Sequence, residues 1–283
     1  MHAAPSQFQL GNATITIINV CDSRFDLTTS LNVDAATVDS RYTAHFATPA
    51  RVPVQCIYIQ LPETTVLVDA GLFAFEPGSP FALPNYQPPP DLFAQLADIG
   101  LDPADVEHLI ITHAHGDHFN ALTIEEAGVL RPAFPNAKVH LGRADWEQES
   151  LQQERADPTS LIGRTFEVIW QHGLLHLVTG DLDLGHGLRI CHTPGETPGH
   201  QALRLESAGA VLYCVGDLYH HIVEVEQPGW SVTWADPAAN LRSRAQIATA
   251  ALAEGATLIA THIRGVGQLQ AQDNAVHWMT VKQ

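Results

Sequence analysis

The chain has 283 residues, with 31 acidic and 14 basic side chains and a formal net charge of −17. A surface that negative repels phosphate backbones and anionic membranes, so neither nucleic acid nor membrane is expected as a partner. A hydrophobic content of 45% is ordinary for a globular chain able to bury a sizeable core, and no shift of composition marks a boundary, so a single domain over 1–283 is expected.

Residues 1–10 have neither the basic n-region nor the apolar h-region of a secretory signal. No run reaches the roughly 18 apolar residues of a membrane-spanning helix. Cys21, Cys56, Cys191 and Cys214 show no C-x-x-C spacing, and three of them sit in or beside apolar, strand-like runs. Buried free thiols in a reducing compartment are the expectation, and with them a cytoplasmic location.

In chain order, the β-branched run at 13–20 predicts an opening strand. No sustained period appears over 21–50. Strands follow at 52–61 and 65–68, joined by a turn at Pro62-Glu63, and the second runs into Asp69-Ala70-Gly71. Residues 72–90 carry six prolines together with Phe73, Phe75, Phe81 and Tyr86. No regular element runs through that proline spacing, so the stretch reads as a long loop. It either covers an active site or a partner subunit, or is pinned to the surface by its own aromatics. A helix at 91–99 has Asp91 as N-cap and Gly100 as stop, and Pro103 opens a helical turn. A strand at 108–112 precedes the motif discussed below. A strand at 138–141, helices over 143–155 and 158–170, and strands at 188–192, 201–206 and 210–215 come next. A helix at 237–253 capped by Asp236 and a strand at 257–260 complete the reading. Strands and helices mixed in this way suggest two packed sheets covered by helices.

The chemistry concentrates in Thr112-His113-Ala114-His115-Gly116-Asp117-His118, directly after the apolar run 109–111. Three histidines and an aspartate within six residues are a signature of transition-metal ligation. Further ligand-type residues, His200, Asp217 and His262, follow strand-like segments downstream. Five histidines and two aspartates are too many for one tetrahedral zinc but suit two ions sharing a bridging carboxylate. No glycine-rich phosphate loop and no G-x-S-x-G elbow is present.

The run His113-x-His115-x-Asp117-His118, with His200, Asp217 and His262 in that order, resembles the metallo-β-lactamase-fold hydrolase superfamily, as does the strand-end segment 66–71 with its D-x-G. The resemblance implies an α/β fold, a four-layer αββα sandwich with a dinuclear site at one edge of its sheets. It assigns His113, His115 and His200 to one ion, Asp117, His118 and His262 to a second, and Asp217 to both. Asp69 would orient the His/Asp loop from behind. Zinc is the expected metal, with manganese, iron or cobalt as alternatives.

Within that superfamily, the bridging Asp217 separates the chain from true β-lactamases, and His115 in place of a glutamate separates it from flavodiiron oxidoreductases. Only about 20 residues follow His262, so the C-terminal domain of glyoxalase II has no counterpart. The segment 193–200 (TPGETPGH) and Gly216-Asp217-Leu218-Tyr219-His220 are similar to segments of N-acyl-homoserine lactone lactonases and methyl-parathion-hydrolase-like enzymes. Two departures stand out: Glu196 replaces the first histidine of a doubled T-P-G-H, and His220 occupies the position where many lactonases have tyrosine.

The activity this implies is opening of lactones or cleavage of esters of small hydrophobic substrates, by attack of a metal-bridging hydroxide. Asp117 would pass a proton to the leaving group, and Tyr219 or His220 would donate to the developing oxyanion. Phe119, Trp230 and Trp234, with Phe73 and Phe81 from the 72–90 loop, are the expected walls of an apolar substrate pocket. The alternatives are an organophosphate or phosphotriester hydrolase on the same site and, from another class, a non-catalytic or redox metal-binding protein. A homodimer is the expected assembly.

Overall fold

The computed structural model describes residues 5–71, 75, 78–273 and 275–281. Its strands are β1 (Ser6–Leu10), β2 (Ala13–Phe25), β3 (Ala50–Gln60), β4 (Thr65–Val68), β5 (His108–Ile110), β6 (Thr123–Glu126), β7 (Val129–Pro132), β8 (Lys138–Gly142), β9 (Leu175–Val178), β10 (Leu182–Gly185), β11 (Leu188–His192), β12 (Gln201–Ser207), β13 (Ala210–Cys214), β14 (Thr257–Ile259), β15 (Val266–Gln272) and β16 (Ala275–Val281). They form two seven-stranded sheets, ordered β1-β2-β3-β4-β5-β8-β9 and β10 through β16, and a small ribbon β6-β7.

The sheets pack face to face. Ala13, Ile15 and Ile17 of β2 and Ile57 and Ile59 of β3 meet Leu203 and Leu205 of β12 and Leu212 and Cys214 of β13 in one apolar cluster. The alternation of β2 sends Ile18 and Val20 to the opposite face, where the helices Leu92–Asp98, Glu149–Arg155 and Phe166–Gln171 cover the first sheet. On the far side, Ile247 and Ala251 of the helix Pro237–Glu254 cover the second sheet around Tyr213 and Leu258. These layers make the αββα arrangement that the sequence implied.

Parallel pairing places the site. β4, β5 and β8 run parallel in the first sheet, with Val68 opposite Ile110 and Ile110 opposite His140. β13 and β14 run parallel in the second, with Cys214 opposite Ile259. Parallel strands end on the same side, so the segments that leave β4, β5, β13 and β14 gather at one edge. Those segments carry Asp69, the 112–118 loop, Asp217 and His262.

The capping expectations hold: Asp91 accepts from Ala94 N at 2.8 Å, and Asp236 accepts from Ala238 and Ala239. Two expected helices are divided. Gln148 is extended (ψ 134°) and splits 143–155 into Arg143–Trp146 and Glu149–Arg155. A break at Thr165 similarly separates Leu161–Arg164 from Phe166–Gln171. β2 runs five residues further than its apolar stretch suggested, because β3 pairs with it as far as Phe25 opposite Ala50, across a bulge at 19–21. β1, β6, β7, β9, β10, β15 and β16 were not anticipated; their exposed faces blur the alternation of period two. All four cysteines are buried and free, as expected. Among the described residues, no helix is long and apolar enough to cross a membrane.

Candidate metal centre

Asp69, at the end of β4, holds the His/Asp loop from behind. It is buried and adopts φ +61°, a left-handed conformation that costs a non-glycine residue strain and turns its carboxylate inward. That carboxylate accepts from Thr112 N at 2.8 Å, Thr112 Oγ1 at 3.0 Å and His118 Nδ1 at 2.8 Å. Burial pushes the Asp69 carboxyl above its usual range, against the pull of His118. With its Nδ1 committed to Asp69, His118 turns Nε2 inward, 3.3 Å from Asp217 Oδ2 and 3.6 Å from Asp117 Oδ1. A carboxylate that fixes one ring nitrogen so that the other faces an ion is the usual support of a metal-bound histidine.

The remaining donors converge in the same way. His113 Nε2 lies 2.8 Å from His115 Nδ1. Nδ1 of His200 is held by the Thr193 carbonyl at 3.0 Å, leaving Nε2 on the side of Asp217. His262 donates through Nδ1 to the Pro53 carbonyl and brings Nε2 to 3.1 Å from Asp217 Oδ2 and 3.5 Å from Asp117 Oδ2. Gly216 permits this closeness. It has φ +53°, and a Cβ there would sit 2.8 Å from Thr112 and 2.9 Å from His200 Nε2.

A second buried carboxylate joins the two ligand loops. Asp145 accepts from Ala114 N, Thr197 Oγ1 and Gly199 N at 2.7–3.0 Å. This explains the break after Trp146: the short helix Arg143–Trp146 exists to point Asp145 between the loops.

The donor set fits divalent ions. Donor atoms of His113, His118 and Asp217, of Asp117, His118 and His262, and of Asp217, His220 and His262 each lie within 4.8 Å of one another. His118 Nε2 and Asp217 Oδ1 are buried with no hydrogen-bond partner, which is costly unless a cation compensates. Burial alone would raise the Asp217 carboxyl, but His262, His118 and His220 hold it well below its ordinary range. Burial and neighbouring histidines push His113 well down, and burial takes His200 to about 4. His118 and His262 shift the other way, raised despite burial by Asp217 and its neighbouring carboxylates, so His113 and His200 are the imidazoles held in the neutral form that ligates metal.

Above the centre opens a cavity of about 770 Å³. Phe81 and Trp234 line it as expected, joined by Phe75 and by Phe25, which the sequence had not marked. The 72–90 loop is tied down where Phe81 O accepts from Arg24 N and Tyr86 Oη accepts from Asp22 N, both at 2.8 Å. Among its described residues, Phe75, Ser79 and Phe81 line the cavity.

Three expected residues lie elsewhere. Phe119 is buried in the first sheet's helical layer, 4.4 Å from the Phe166 ring, because its short helix turns it away from the cavity. Trp230 packs edge-on against Tyr42 and Phe46 in a separate cluster. Tyr219 points back into the second sheet's outer core under the Arg244 guanidinium, and burial pushes its hydroxyl up to about 12. Phe73 falls outside the described residues. His220, one residue on, faces the opposite way. Its ring stacks against Phe25 and His262, and Nε2 lies 3.3 Å from Asp217 Oδ2.

Glu196 belongs to this wall too, although the sequence showed it merely as a departure from a motif. Its Oε1 is 3.3 Å from His115 Nδ1, 3.6 Å from His220 Nε2 and accepts from Trp234 Nε1 at 2.5 Å. Burial opposes its charge, yet His220 and His115 hold its carboxyl down at about 2. Behind His220, buried Glu224 accepts from His220 N at 2.6 Å and His221 N at 2.9 Å, and pairs with buried Arg244 at 2.6 Å. Asp145 finds its partners 31 to 54 residues away, and Glu224 and Arg244 pair across 20 residues, so no short spacing announced them.

Similarity to known proteins agrees with this geometry. An N-acyl homoserine lactonase of Bacillus sp is 28% identical, the match covering 59% of this chain and 65% of that protein. The lactonase of Bacillus cereus is 26% identical over the same shares. The chain thus spans about 65% of the length of these curated relatives. Among solved structures, the hydrolase AbOPH of the beta lactamase superfamily superposes with a TM-score of 0.80 at 19% identity, covering 100% of this chain and 99% of that one. AidC, a dizinc quorum-quenching lactonase in complex with the product N-hexanoyl-L-homoserine, superposes with a TM-score of 0.79 at 18% identity, covering 99% and 98%. Residues 49–221 match the family model of the Metallo-beta-lactamase superfamily, and with its strand-end ligands gathered at one edge of two packed sheets, the chain belongs to that superfamily.

Proposed function

We propose that the protein is a dinuclear metal-dependent hydrolase that opens lactones, N-acyl-homoserine lactones among them, or cleaves esters of small hydrophobic substrates. The observation that carries this reading is the meeting of the His/Asp donor set with the floor of an aromatic-walled cavity. Phe25, Phe75, Phe81 and Trp234 line the cavity together with the candidate donors His115, Asp117, Asp217 and His262, and suit an acyl chain.

His113, His115 and His200 would hold one ion, Asp117, His118 and His262 the other, with Asp217 shared. Two divalent ions, when bound, supply Lewis acidity and lower the pKa of bound water. Asp69 and Asp145 keep the ligand loops in place. His220 presents Nε2 to the cavity, where it donates a hydrogen bond to the oxyanion that forms as the carbonyl is attacked. Asp117 carries a proton to the leaving alkoxide. The aromatic walls exclude water around the acyl chain and fix its direction.

The relatives' names support a lactone, and the dizinc structural neighbour supports zinc. Metal analysis and a panel of homoserine lactones, aryl esters and paraoxon test the proposal. Ring opening without phosphotriester turnover is the expected result. A preference for paraoxon would replace it with the phosphotriesterase reading, and no turnover by fully metal-loaded protein would favour a binding role. A homodimer belongs to the same proposal and is tested by sedimentation.

A further inference from the structure

We propose that Glu196 is a ligand of the metal centre, a third carboxylate shared with the ion that His113 and His115 hold. The inference rests on the two-metal reading above and extends it to a residue outside the seven-ligand set.

The geometry comes first. Donor atoms of His113, His115 and Glu196 all lie within 4.8 Å of one another. Glu196 would be a fifth ligand beside His113, His115, His200 and Asp217, and neighbouring ligands at 2.0–2.2 Å around a five-coordinate zinc stand about 3.0–3.6 Å apart. The separation of Glu196 Oε1 from His115 Nδ1 is 3.3 Å, and that of His113 Nε2 from His115 Nδ1 is 2.8 Å. The carboxylate therefore stands where a ligand to the same ion would stand.

Electrostatics come second. Glu196 is 4% exposed, and its Oε2 has no hydrogen-bond partner. Asp117 and Asp217 line the same cavity, and among the described residues that line it there is no lysine or arginine. Three buried carboxylates need positive charge beside them, and the lining offers them only the imidazoles of His115, His220 and His262. The indole of Trp234 satisfies part of Oε1 but brings no charge. Two divalent ions facing three carboxylates keep one surplus positive charge instead of two, which favours neutral substrates over retention of an anionic product.

The anchoring comes third. Glu196 lies in the same loop as His200, and Asp145 holds that loop through Thr197 and Gly199. The side chain is thus fixed from both sides, by Asp145 through its own loop and by Trp234 at the carboxylate.

The test is titration of apo-protein with Zn²⁺ against a chromogenic chelator, for the native chain, Glu196→Gln and Trp234→Phe. The native chain is expected to show two sites. Glu196→Gln is expected to weaken one of them by about 100-fold or more, beyond the range for a residue that only supports a ligand. Trp234→Phe should leave both sites within about threefold. Two sites of native strength in Glu196→Gln overturn the proposal and leave the two-metal centre standing. So does equal weakening by Glu196→Gln and Trp234→Phe, which would make Glu196 an anchor for the indole. Fewer than two sites in the native chain remove the two-metal reading itself and the proposal with it. If Glu196→Gln does not fold, the visible spectrum of the Co²⁺-loaded Glu196→Asp variant decides. Shifted bands support ligation, and bands superimposable on those of the native chain overturn it.

Discussion

The two halves of the candidate site are held by opposite means. The 112–118 loop is fixed by carboxylates that touch the ligands themselves: Asp69 grips His118 and Thr112, and Asp145 grips the neighbouring backbone. The 217–230 segment is fixed from behind. There Arg244, buried in the middle of the long helix, donates to the carbonyls of Leu218, Pro228 and Trp230 and pairs with Glu224, which caps the His220 and His221 amides. The first arrangement acts electrostatically on the candidate metal ligands. The second is a buried ion pair that supports the site mechanically. The difference teaches that one active-site edge can be sensitive to mutation in two distinct quantities, ligand affinity on one side and fold stability on the other.

Breaking the ion pair should give the largest effect. Arg244→Met leaves Glu224 charged and uncompensated in the core, and should cost about 3–5 kcal/mol in denaturant unfolding. A loss below about 1 kcal/mol would show that the segment holds itself. Asp69→Asn keeps shape but loses the charge that orients His118, and should lower metal affinity about 10–100-fold in chelator competition. If stability fell instead while affinity stayed level, the contrast between the two halves would be wrong.

Acid should separate the two further. Arg244, with His220, holds the Glu224 carboxyl down at about 2, below the ordinary 4.5 and despite burial. A depressed carboxyl contributes stability that is present above its unfolded pKa and lost as pH falls through the folded value. The contribution of Glu224 should therefore fade between about pH 4.5 and pH 2, and Glu224→Gln should flatten the stability slope in that window. Unchanged slopes in urea unfolding across it would contradict the assignment. A further contrast concerns the adjacent pair Tyr219 and His220. His220→Ala should lower kcat about 10²–10³-fold if its Nε2 serves the oxyanion, whereas Tyr219→Phe, with its ring packed under Arg244, should stay within about twofold. A large loss from Tyr219→Phe would reverse the roles given to the two.

What the sequence by itself determined is what short spacing encodes. The candidate ligand run at 113–118 is contiguous, Asp217 and His262 follow strands, and β-branched runs with capped helices forecast the layered fold. The strand-end position of the donors carries over because parallel strands end on one side whatever the loops do. Tertiary structure alone decided which side chains of similar type face the cavity. Tyr219 and His220 are neighbours in a segment of irregular backbone, where no period foretells direction, and the packing of Arg244 under Tyr219 assigns one to the core and the other to the site. Phe119 and Trp230 went to separate cores for the same reason, while Phe25 reached the cavity because β2 extends along β3 beyond its apolar stretch. Asp145, Glu196 and Glu224 are ordinary acidic residues in the chain. Asp145 meets Gly199, Glu196 meets Trp234 and Glu224 meets Arg244, each at least 20 residues away, and a buried carboxylate acquires meaning from its surroundings, which exist only once the sheets have packed.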